Sequence, residues 1–389
     1  MAELAAKDAF KISERLLRFL HFIVEEELEG RGDGLNQSLV AMEVFDRDAD
    51  FDPGADAIVR VEAGRLRTKL RDYYLSEGIA DEVRFELPKG RYRPGIIFHK
   101  SDESTIAPEK VKQEIRYCTS QDQVSIAYAV SGDGPPLVKA ANWLSHLEYD
   151  FNSPVWSHWW NALSSRYQLI RYDERGCGLS DWEIGEFSFD AWVQDLEMVV
   201  DKIGLETFPL LGISQGASVA ISYAVKHPER VSHLILYGGY AQGSLNRAPD
   251  PDQKDEIHLI WDIMRVGWGQ EKSAFRKLFA SFFMPDGTAE QYASFSELQR
   301  MSTSPENAEQ FMKTFNHIDV TELLSQVTAP TLVIHGRGDL EVPHSQSQLM
   351  AKQIPNAKLV TLESRNHILG EHEQAWKEFL SEVDSFIGS

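Results

Sequence analysis

The sequence predicts an α/β protein with a largely parallel sheet, preceded by a small N-terminal α+β domain. From residue 113 onward, short apolar runs alternate with helical patterns, which is typical of strands joined by crossover helices. Residues 99–112 are polar, contain proline and have no apolar period, as expected of a linker. These boundaries predict an N-terminal domain over 1–98 and an α/β domain over 113–389.

Length and composition limit the class of protein. A chain of 389 residues is longer than a single hydrophobic core usually supports. This length fits one large domain with a smaller one. Hydrophobic residues make up 42% and charged residues 25%, which indicates a soluble globular protein. Two cysteines suggest a reducing compartment. Since neither a signal pattern nor a long uncharged apolar run is visible, we expect a cytoplasmic protein with no membrane partner.

Three helices and a hairpin are predicted for the N-terminal domain. Apolar residues recur at helical spacing over 10–29, and a glycine-rich segment ends that helix. A short helix is predicted over 36–45 and a third over about 56–76. Residues 84–94 alternate around a Lys-Gly turn, which favours a hairpin. The net charge of −21 argues against general nucleic-acid binding, but residues 58–100 hold ten Lys/Arg against six acids.

Residues 59–70 and 87–92 resemble the recognition helix and wing of OmpR-type response-regulator output domains. The resemblance implies a winged-helix-like domain whose third helix enters the major groove while the wing contacts phosphates. The candidate DNA-binding residues are Arg60, Arg67, Lys69, Arg71, Lys89 and Arg91. Alternatively, these cations form a solvated face, a homodimer surface or a docking surface for the α/β domain.

Eight strands are predicted for the α/β domain. They cover 115–118, 124–130, 137–141, 167–172, 208–213, 231–237, 331–335 and 358–362. The first two are close enough in sequence to form an antiparallel hairpin. Residues 240–325 break the strand–helix alternation with aromatic-rich helical sequence, which predicts a helical lid over one edge of the sheet.

A candidate nucleophile follows the fifth predicted strand. Gly212, Ser214 and Gly216 form a Gly-x-Ser-x-Gly pattern between an apolar strand and a helical run. Flanking glycines allow the close backbone approach that a tight strand-to-helix turn requires. Such a turn exposes the serine hydroxyl above the sheet as a nucleophile elbow.

A serine nucleophile needs a base, and the base needs an orienting acid. Asp339 follows one predicted strand and His367 follows the next, so both lie where the carboxyl ends of parallel strands meet. We expect His367 to accept the proton of Ser214 and Asp339 to fix the imidazole tautomer. Glu363 is the alternative acid.

The order Ser, Asp, His resembles the α/β-hydrolase superfamily over about residues 113–389. Residues 172–181 resemble its D-x-R-G-x-G-x-S loop, and residues 335–343 resemble its acid loop. The resemblance implies an α/β-hydrolase fold, with the backbone N–H groups of Gln215 and Trp143 as oxyanion donors. The family usually has His-Gly where this chain has Ala141-Asn142. Because asparagine tolerates positive φ, the turn can still form.

The substrate is expected between the elbow and the lid. Aromatic walls with few polar groups suit a hydrophobic ester, lactone or thioester. The candidate substrate-binding residues are Asn142, Trp143, His146, Trp268 and Phe283. No cofactor is expected, because neither a His-Glu-x-x-His pattern nor a phosphate-binding glycine loop occurs.

Two functions follow from these patterns. The first is a serine hydrolase that cleaves a hydrophobic carboxylic ester or lactone through an acyl-enzyme. The alternative is a DNA-binding transcription regulator whose hydrolase-derived domain senses a small molecule. Sequence cannot separate ester, lactone, thioester and carbon–carbon cleavage, since one triad serves them all.

Overall fold

The computed structural model describes residues 14–48, 51–52, 54, 56–74, 81, 83–88, 90–98, 111–185, 187–248, 250–268 and 274–388. The chain divides into two compact units, Met1–Glu109 and Lys110–Ser389. Residues 99–110 of the predicted linker lie outside the described residues.

The N-terminal unit contains three helices around a small apolar core. They are α1 (Glu14–Leu28), α2 (Gln37–Phe45) and α3 (Ile58–Tyr74). Asn36 begins α2 by accepting the backbone N–H of Leu39 at 3.0 Å, which is the usual role of asparagine at an N-cap. Each helix contributes fully buried side chains to one cluster, among them Phe19, Val40 and Leu66.

Two antiparallel strands complete this unit, β1 (Val83–Glu86) and β2 (Gly95–Phe98). The predicted hairpin is present, but its second strand begins at Gly95, beyond the predicted range of 84–94, because residues 91–94 form a loop. Pro94 has no N–H for a ladder. The Arg67 guanidinium also holds the loop by donating to the carbonyls of Leu87 at 2.8 Å and Arg91 at 3.3 Å.

The second unit is built on an eight-stranded sheet. Its strands are β3 (Gln113–Thr119), β4 (Ser125–Ser131), β5 (Pro136–Ala140), β6 (Gln168–Tyr172), β7 (Phe208–Ile213), β8 (Val231–Tyr237), β9 (Thr331–Gly336) and β10 (Lys358–Leu362). All eight match predicted strands. The spatial order is β10-β9-β8-β7-β5-β6-β4-β3, and β4 alone runs opposite to the other seven strands. A mostly parallel sheet is therefore confirmed.

Helices pack against this sheet. Those between or after strands are α4 (Leu147–Asn152), α5 (Ser157–Ser164), α6 (Phe189–Ile203), α7 (Gln215–Lys226), α13 (His344–Gln353) and α14 (Gln374–Ile387). Between β8 and β9 lie α8 (Ser244–Arg247), α9 (Pro251–Gly267), α10 (Ala274–Phe283), α11 (Ala289–Ser302) and α12 (Pro305–Asn316). This insertion falls inside the segment predicted as a lid. None of the described helices combines the length and apolar character needed to cross a membrane.

Candidate active site

Ser214 lies at the turn between β7 and α7 in an unusual backbone conformation. Its φ is 53° and its ψ is −126°. A non-glycine residue in such a region costs about 1–3 kcal/mol and persists only where its surroundings hold it. Here the Ser214 N–H donates to the Tyr237 carbonyl at 3.0 Å, and the Ser214 carbonyl accepts the Ala217 N–H at 3.0 Å.

The flanking glycines make this turn possible. A Cβ on Gly212 would lie 2.6 Å from the Ala217 Cα, and one on Gly216 would lie 2.7 Å from the Ala141 carbonyl oxygen. Side-chain atoms do not approach backbone this closely. The strand, the helix and the turn after β5 can therefore meet only because both positions lack a side chain.

Asp339 and His367 form a hydrogen-bonded pair beyond the ends of β9 and β10. The His367 Nδ1 lies 2.7 Å from the Asp339 Oδ2. The other oxygen, Oδ1, accepts the backbone N–H groups of Glu341 at 2.9 Å and Val342 at 3.0 Å. His335 adds a further contact, with its Nε2 3.3 Å from Oδ2. The carboxylate is thus fixed from several sides.

The pair perturbs both pKa values. Burial favours the neutral form of Asp339, but the charge of His367 and the hydrogen bond from His335 outweigh it and hold its pKa far below the usual range. Burial also opposes protonation of His367, but the Asp339 carboxylate overcomes this and raises its pKa above the ordinary value. A carboxylate that stays ionised beside an imidazole fixes Nδ1 as the protonated nitrogen.

Tyr237 connects the serine turn to the histidine loop. Its carbonyl accepts the Ser214 N–H, while its buried hydroxyl donates to the His367 carbonyl at 3.0 Å. The next residue, Gly238, has a φ of +55°, and a Cβ there would lie 3.1 Å from the imidazole Cε1. The imidazole therefore lies over the end of β8, beside the strand that leads to Ser214. The His367 Nε2 is buried without a hydrogen-bond partner among the described residues.

The oxyanion side of the site is formed by Trp143, Gln215 and Glu174, which are hydrogen-bonded to one another. The Trp143 N–H, predicted as one donor, is donated to the Gln215 Oε1 at 3.0 Å. The Gln215 Nε2 donates in turn to the Glu174 Oε1 at 2.8 Å. The backbone N–H of Gln215, the other predicted donor, begins α7, where helix amides have no intrahelical acceptor. Binding an oxyanion at both predicted donors therefore requires the Gln215 side chain to move.

Buried charges support this arrangement. The Lys139 Nζ donates to the Asn142 Oδ1 and to the Ala140 carbonyl. Burial lowers the pKa of Lys139 to about 8. Burial raises the pKa of Glu174 to about 8, although its hydrogen bond from Gln215 opposes the change. Asn142 does not have a positive φ, so the turn forms without that conformation.

A cavity of about 230 Å³ opens beside Ser214. Two predicted substrate-binding residues, Trp143 and Phe283, line it, whereas Asn142, His146 and Trp268 are not among its lining residues. Asn142 is bonded to Lys139, and the His146 side chain accepts the Tyr149 N–H to begin α4. Trp268 is buried with its ring centroid 5.3 Å from that of Trp143.

Several cavity residues were not predicted. The polar ones are Tyr240, Ser244, Arg247, Asn316 and Glu341, and the apolar ones include Ile257, Ile260 and Leu340. Glu341 and Leu340 directly follow Asp339, so proximity to the candidate acid was an available signal. Arg247 carried no such signal, because its position depends on how the insertion after β8 folds.

Cys177 is excluded as a nucleophile by its surroundings. It is buried and free, and its thiol donates to the Ser145 carbonyl at 3.2 Å. Burial raises its pKa well above the ordinary value. A thiol that does not ionise at neutral pH is a weak nucleophile.

The predicted DNA-binding residues have different surroundings. Arg60 and Arg91 are exposed and Lys69 is half-buried. Arg67 instead donates to carbonyls of the loop between β1 and β2, so its described contacts are structural. Lys89 and the side chain of Arg71 lie outside the described residues.

Comparisons with known proteins place the second unit in a family. A methyl ester esterase for pimeloyl-[acyl-carrier protein] from Nitrosomonas europaea is 27% identical over 245 residues, covering 62% of this chain and 92% of the esterase. A non-heme chloroperoxidase from Kitasatospora aureofaciens is also 27% identical, covering 64% of this chain and 91% of its own.

Solved structures show the same fold. The esterase RhEst1 from Rhodococcus sp. ECU1013 superposes with a TM-score of 0.53 at 26% identity, covering 71% of this chain and 98% of that one. An esterase from Exiguobacterium antarcticum gives 0.58 at 23% identity, covering 70% and 99%. The sequence pattern of the alpha/beta hydrolase fold matches residues 146–373, more than half of the chain. The chain therefore belongs to the α/β-hydrolase fold family.

Proposed function

We propose that the chain is a serine hydrolase that cleaves a carboxylic ester or lactone with a largely apolar acyl group. The observation that carries the proposal is the Asp339–His367 hydrogen bond of 2.7 Å beside the strand end that leads to Ser214. Ester hydrolysis is also the activity named for the Nitrosomonas relative and for the Rhodococcus structure.

The proposed chemistry uses three side chains. The Ser214 Oγ attacks the carbonyl carbon while the His367 Nε2 takes its proton, and Asp339 stabilises the imidazolium. The imidazolium then gives the proton to the leaving alkoxide as the carbon–oxygen bond breaks. Water attacks the resulting acyl-enzyme, His367 accepts the water proton, and the acid leaves as Ser214 regains its hydrogen.

The test is turnover of 4-nitrophenyl acyl esters by Ser214→Ala. We expect a loss of at least about a thousandfold in kcat, as in other serine hydrolases. Ser222→Ala is the matched control, because Ser222 is a partly exposed serine on the same helix. A fluorophosphonate should label Ser214 covalently, as seen by peptide mass spectrometry. Unchanged turnover in Ser214→Ala would contradict the proposal.

We propose as a second candidate that the N-terminal unit is a winged-helix-like domain that binds DNA. What favours it is a groove lined by Arg60 and Arg67 of α3 and by Gly90 and Tyr92 of the following loop. A basic helix beside such a loop suits contacts with phosphates. The hydrolase unit would then act as a sensor of its small-molecule substrate.

A gel shift with upstream DNA at two salt concentrations tests this candidate. Phosphate contacts give a steep loss of affinity with salt, and Arg91→Ala should weaken binding. Arg116→Ala is the control, since Arg116 pairs with Glu114 on β3 in the other unit. Absence of any shift at low salt would contradict the proposal that this unit binds DNA. Dimerisation would then be the alternative role, which light scattering tests.

A further inference from the structure

Arg247 lies on the wall of the cavity beside Ser214 without an acidic partner. It ends α8, and its Nη1 donates to the Gln242 carbonyl at 3.0 Å. Its Cζ lies 5.6 Å from the centroid of the Tyr240 ring. Among the described residues, no carboxylate forms an ion pair with this guanidinium, which faces a cavity with largely aromatic walls.

An unpaired cation in such surroundings is unfavourable. Arg247 is half-buried, and an arginine withdrawn from water is normally paired with an acid. Burial lowers the pKa of Arg247 from its ordinary value, yet a guanidinium remains charged at neutral pH. Arginine has five N–H donors in a planar fork that fits a carboxylate. The donors that Gln242 does not use are therefore suited to a ligand anion.

Glu341 lines the same cavity and lies two residues after Asp339 of the candidate catalytic pair. Its backbone N–H donates to Asp339 at 2.9 Å, while its carboxylate makes no hydrogen bond with the described residues. Burial raises its pKa, and the charges that act on it most strongly are those of His367 and Asp339, with Arg247 weaker. In its ionised form this carboxylate, two residues along from Asp339, repels a ligand carboxylate, whereas the Arg247 guanidinium on the cavity wall attracts one.

Resting on the proposed function, we propose that the ester cleaved by this site carries a free carboxylate at the far end of its acyl chain, and that Arg247 binds this carboxylate. The substrate class is then a half-ester of a dicarboxylic acid. Its ester carbonyl lies at Ser214 and its methylene chain lies against the aromatic wall formed by Phe279, Phe282 and Phe315. Arg247 is thus a specificity-determining residue.

The experiment compares two esters of equal chain length, mono-4-nitrophenyl adipate and 4-nitrophenyl hexanoate. The readout is the ratio of their kcat/KM values, because a general loss of activity cancels in the ratio. We expect the wild-type chain to favour the adipate, and Arg247→Met to lower the ratio by roughly ten- to a hundredfold, the value of a charged hydrogen bond. Glu341→Gln should raise the ratio, since it removes the repulsion.

A ratio unchanged in Arg247→Met would overturn the proposal, showing that Arg247 only supports the fold or balances Glu341. A wild-type chain that shows no preference for the half-esters of adipic, pimelic or suberic acid over neutral esters of equal length would also overturn it.

A binding measurement separates this proposal from the proposed function. Monomethyl adipate is titrated into the full-length Ser214→Ala chain and into the same chain with Arg247→Met, followed by calorimetry. We expect affinity to fall about tenfold or more in the second chain. If no ester is turned over by the wild-type chain, the proposed function fails, and this measurement alone decides the role of Arg247. Equal affinities in the two chains would overturn it.

Discussion

The two sides of the candidate site differ in how their polar groups are oriented. On the acid side, Asp339 accepts from His367 at 2.7 Å and from two backbone N–H groups, and the His367 Nε2 remains without a partner among the described residues. On the oxyanion side, the Trp143 N–H is donated to the Gln215 side chain at 3.0 Å. The acid side leaves an imidazole nitrogen available for proton transfer, whereas the Trp143 N–H on the oxyanion side is satisfied within the protein.

The difference follows from how each side is built. The acid side combines one residue from each of two adjacent strand-end loops. The oxyanion side is a chain of hydrogen bonds through Trp143, Gln215 and Glu174, which come from three separate segments. A single side chain, that of Gln215, therefore controls whether the Trp143 N–H can reach a ligand. Activity should depend strongly on the first side and be adjustable through the second.

The largest effect is expected from Asp339→Asn. An amide cannot stabilise the imidazolium and favours the wrong tautomer, so kcat should fall about ten-thousandfold, as in a serine protease with the same change. Glu363→Gln is the control, because Glu363 is an exposed acid at the next strand end, paired with Arg337. If Glu363→Gln gave the larger loss in steady-state assays, the acid side would have been assigned to the wrong residue.

A smaller gain is expected from Gln215→Met. Methionine has similar length but is a weak acceptor, so the Trp143 N–H becomes available to the oxyanion. We expect kcat to rise roughly tenfold, a fraction of the ~10²–10³ that one oxyanion donor contributes. Thermal denaturation verifies that the variant is folded. A folded variant with reduced kcat would show that the Gln215 amide supports the turn instead.

The smallest effect is expected in the pH dependence of activity. This should show an acid limb caused by His367 and an alkaline limb caused by Glu174. Activity needs neutral His367, whose pKa is raised, so kcat/KM should fall as pH drops through a value above 6.5. Burial raises the pKa of Glu174 to about 8, and its ionised form accepts more strongly from Gln215, so activity should also fall as pH rises through that value. Glu174→Gln should abolish only the alkaline limb. If the alkaline limb were unchanged in this variant, ionisation of Glu174 would have no effect on the oxyanion side.

The sheet could be predicted from sequence because each strand is a short apolar run. The parallel direction of most strands follows from the helices that connect them. The positions of Ser214, Asp339 and His367 followed for the same reason, since strand ends gather at one edge of the sheet. These features depend on local pattern and on one general rule of topology.

The remaining features depend on side chains that meet only after folding. The hydrogen bond from Trp143 to Gln215 joins residues 72 apart in sequence. The second N-terminal strand begins beyond the predicted hairpin of residues 84–94, because Arg67 on α3 holds residue 91 in a loop. The charge of Arg247 was visible, but its orientation toward the cavity depends on the packing of the insertion after β8.

The insertion between β8 and β9 supplies many of the residues that line the cavity, including Arg247, Trp261 and Phe283, while Ser214, Asp339 and His367 all lie outside it. Under the proposed function, most of the recognition surface is thus encoded by one stretch of the gene and the three reacting side chains by others. Exchange of that one stretch with a relative would transplant a preference for another acyl group onto unchanged chemistry, which offers a direct route to new variants by recombination.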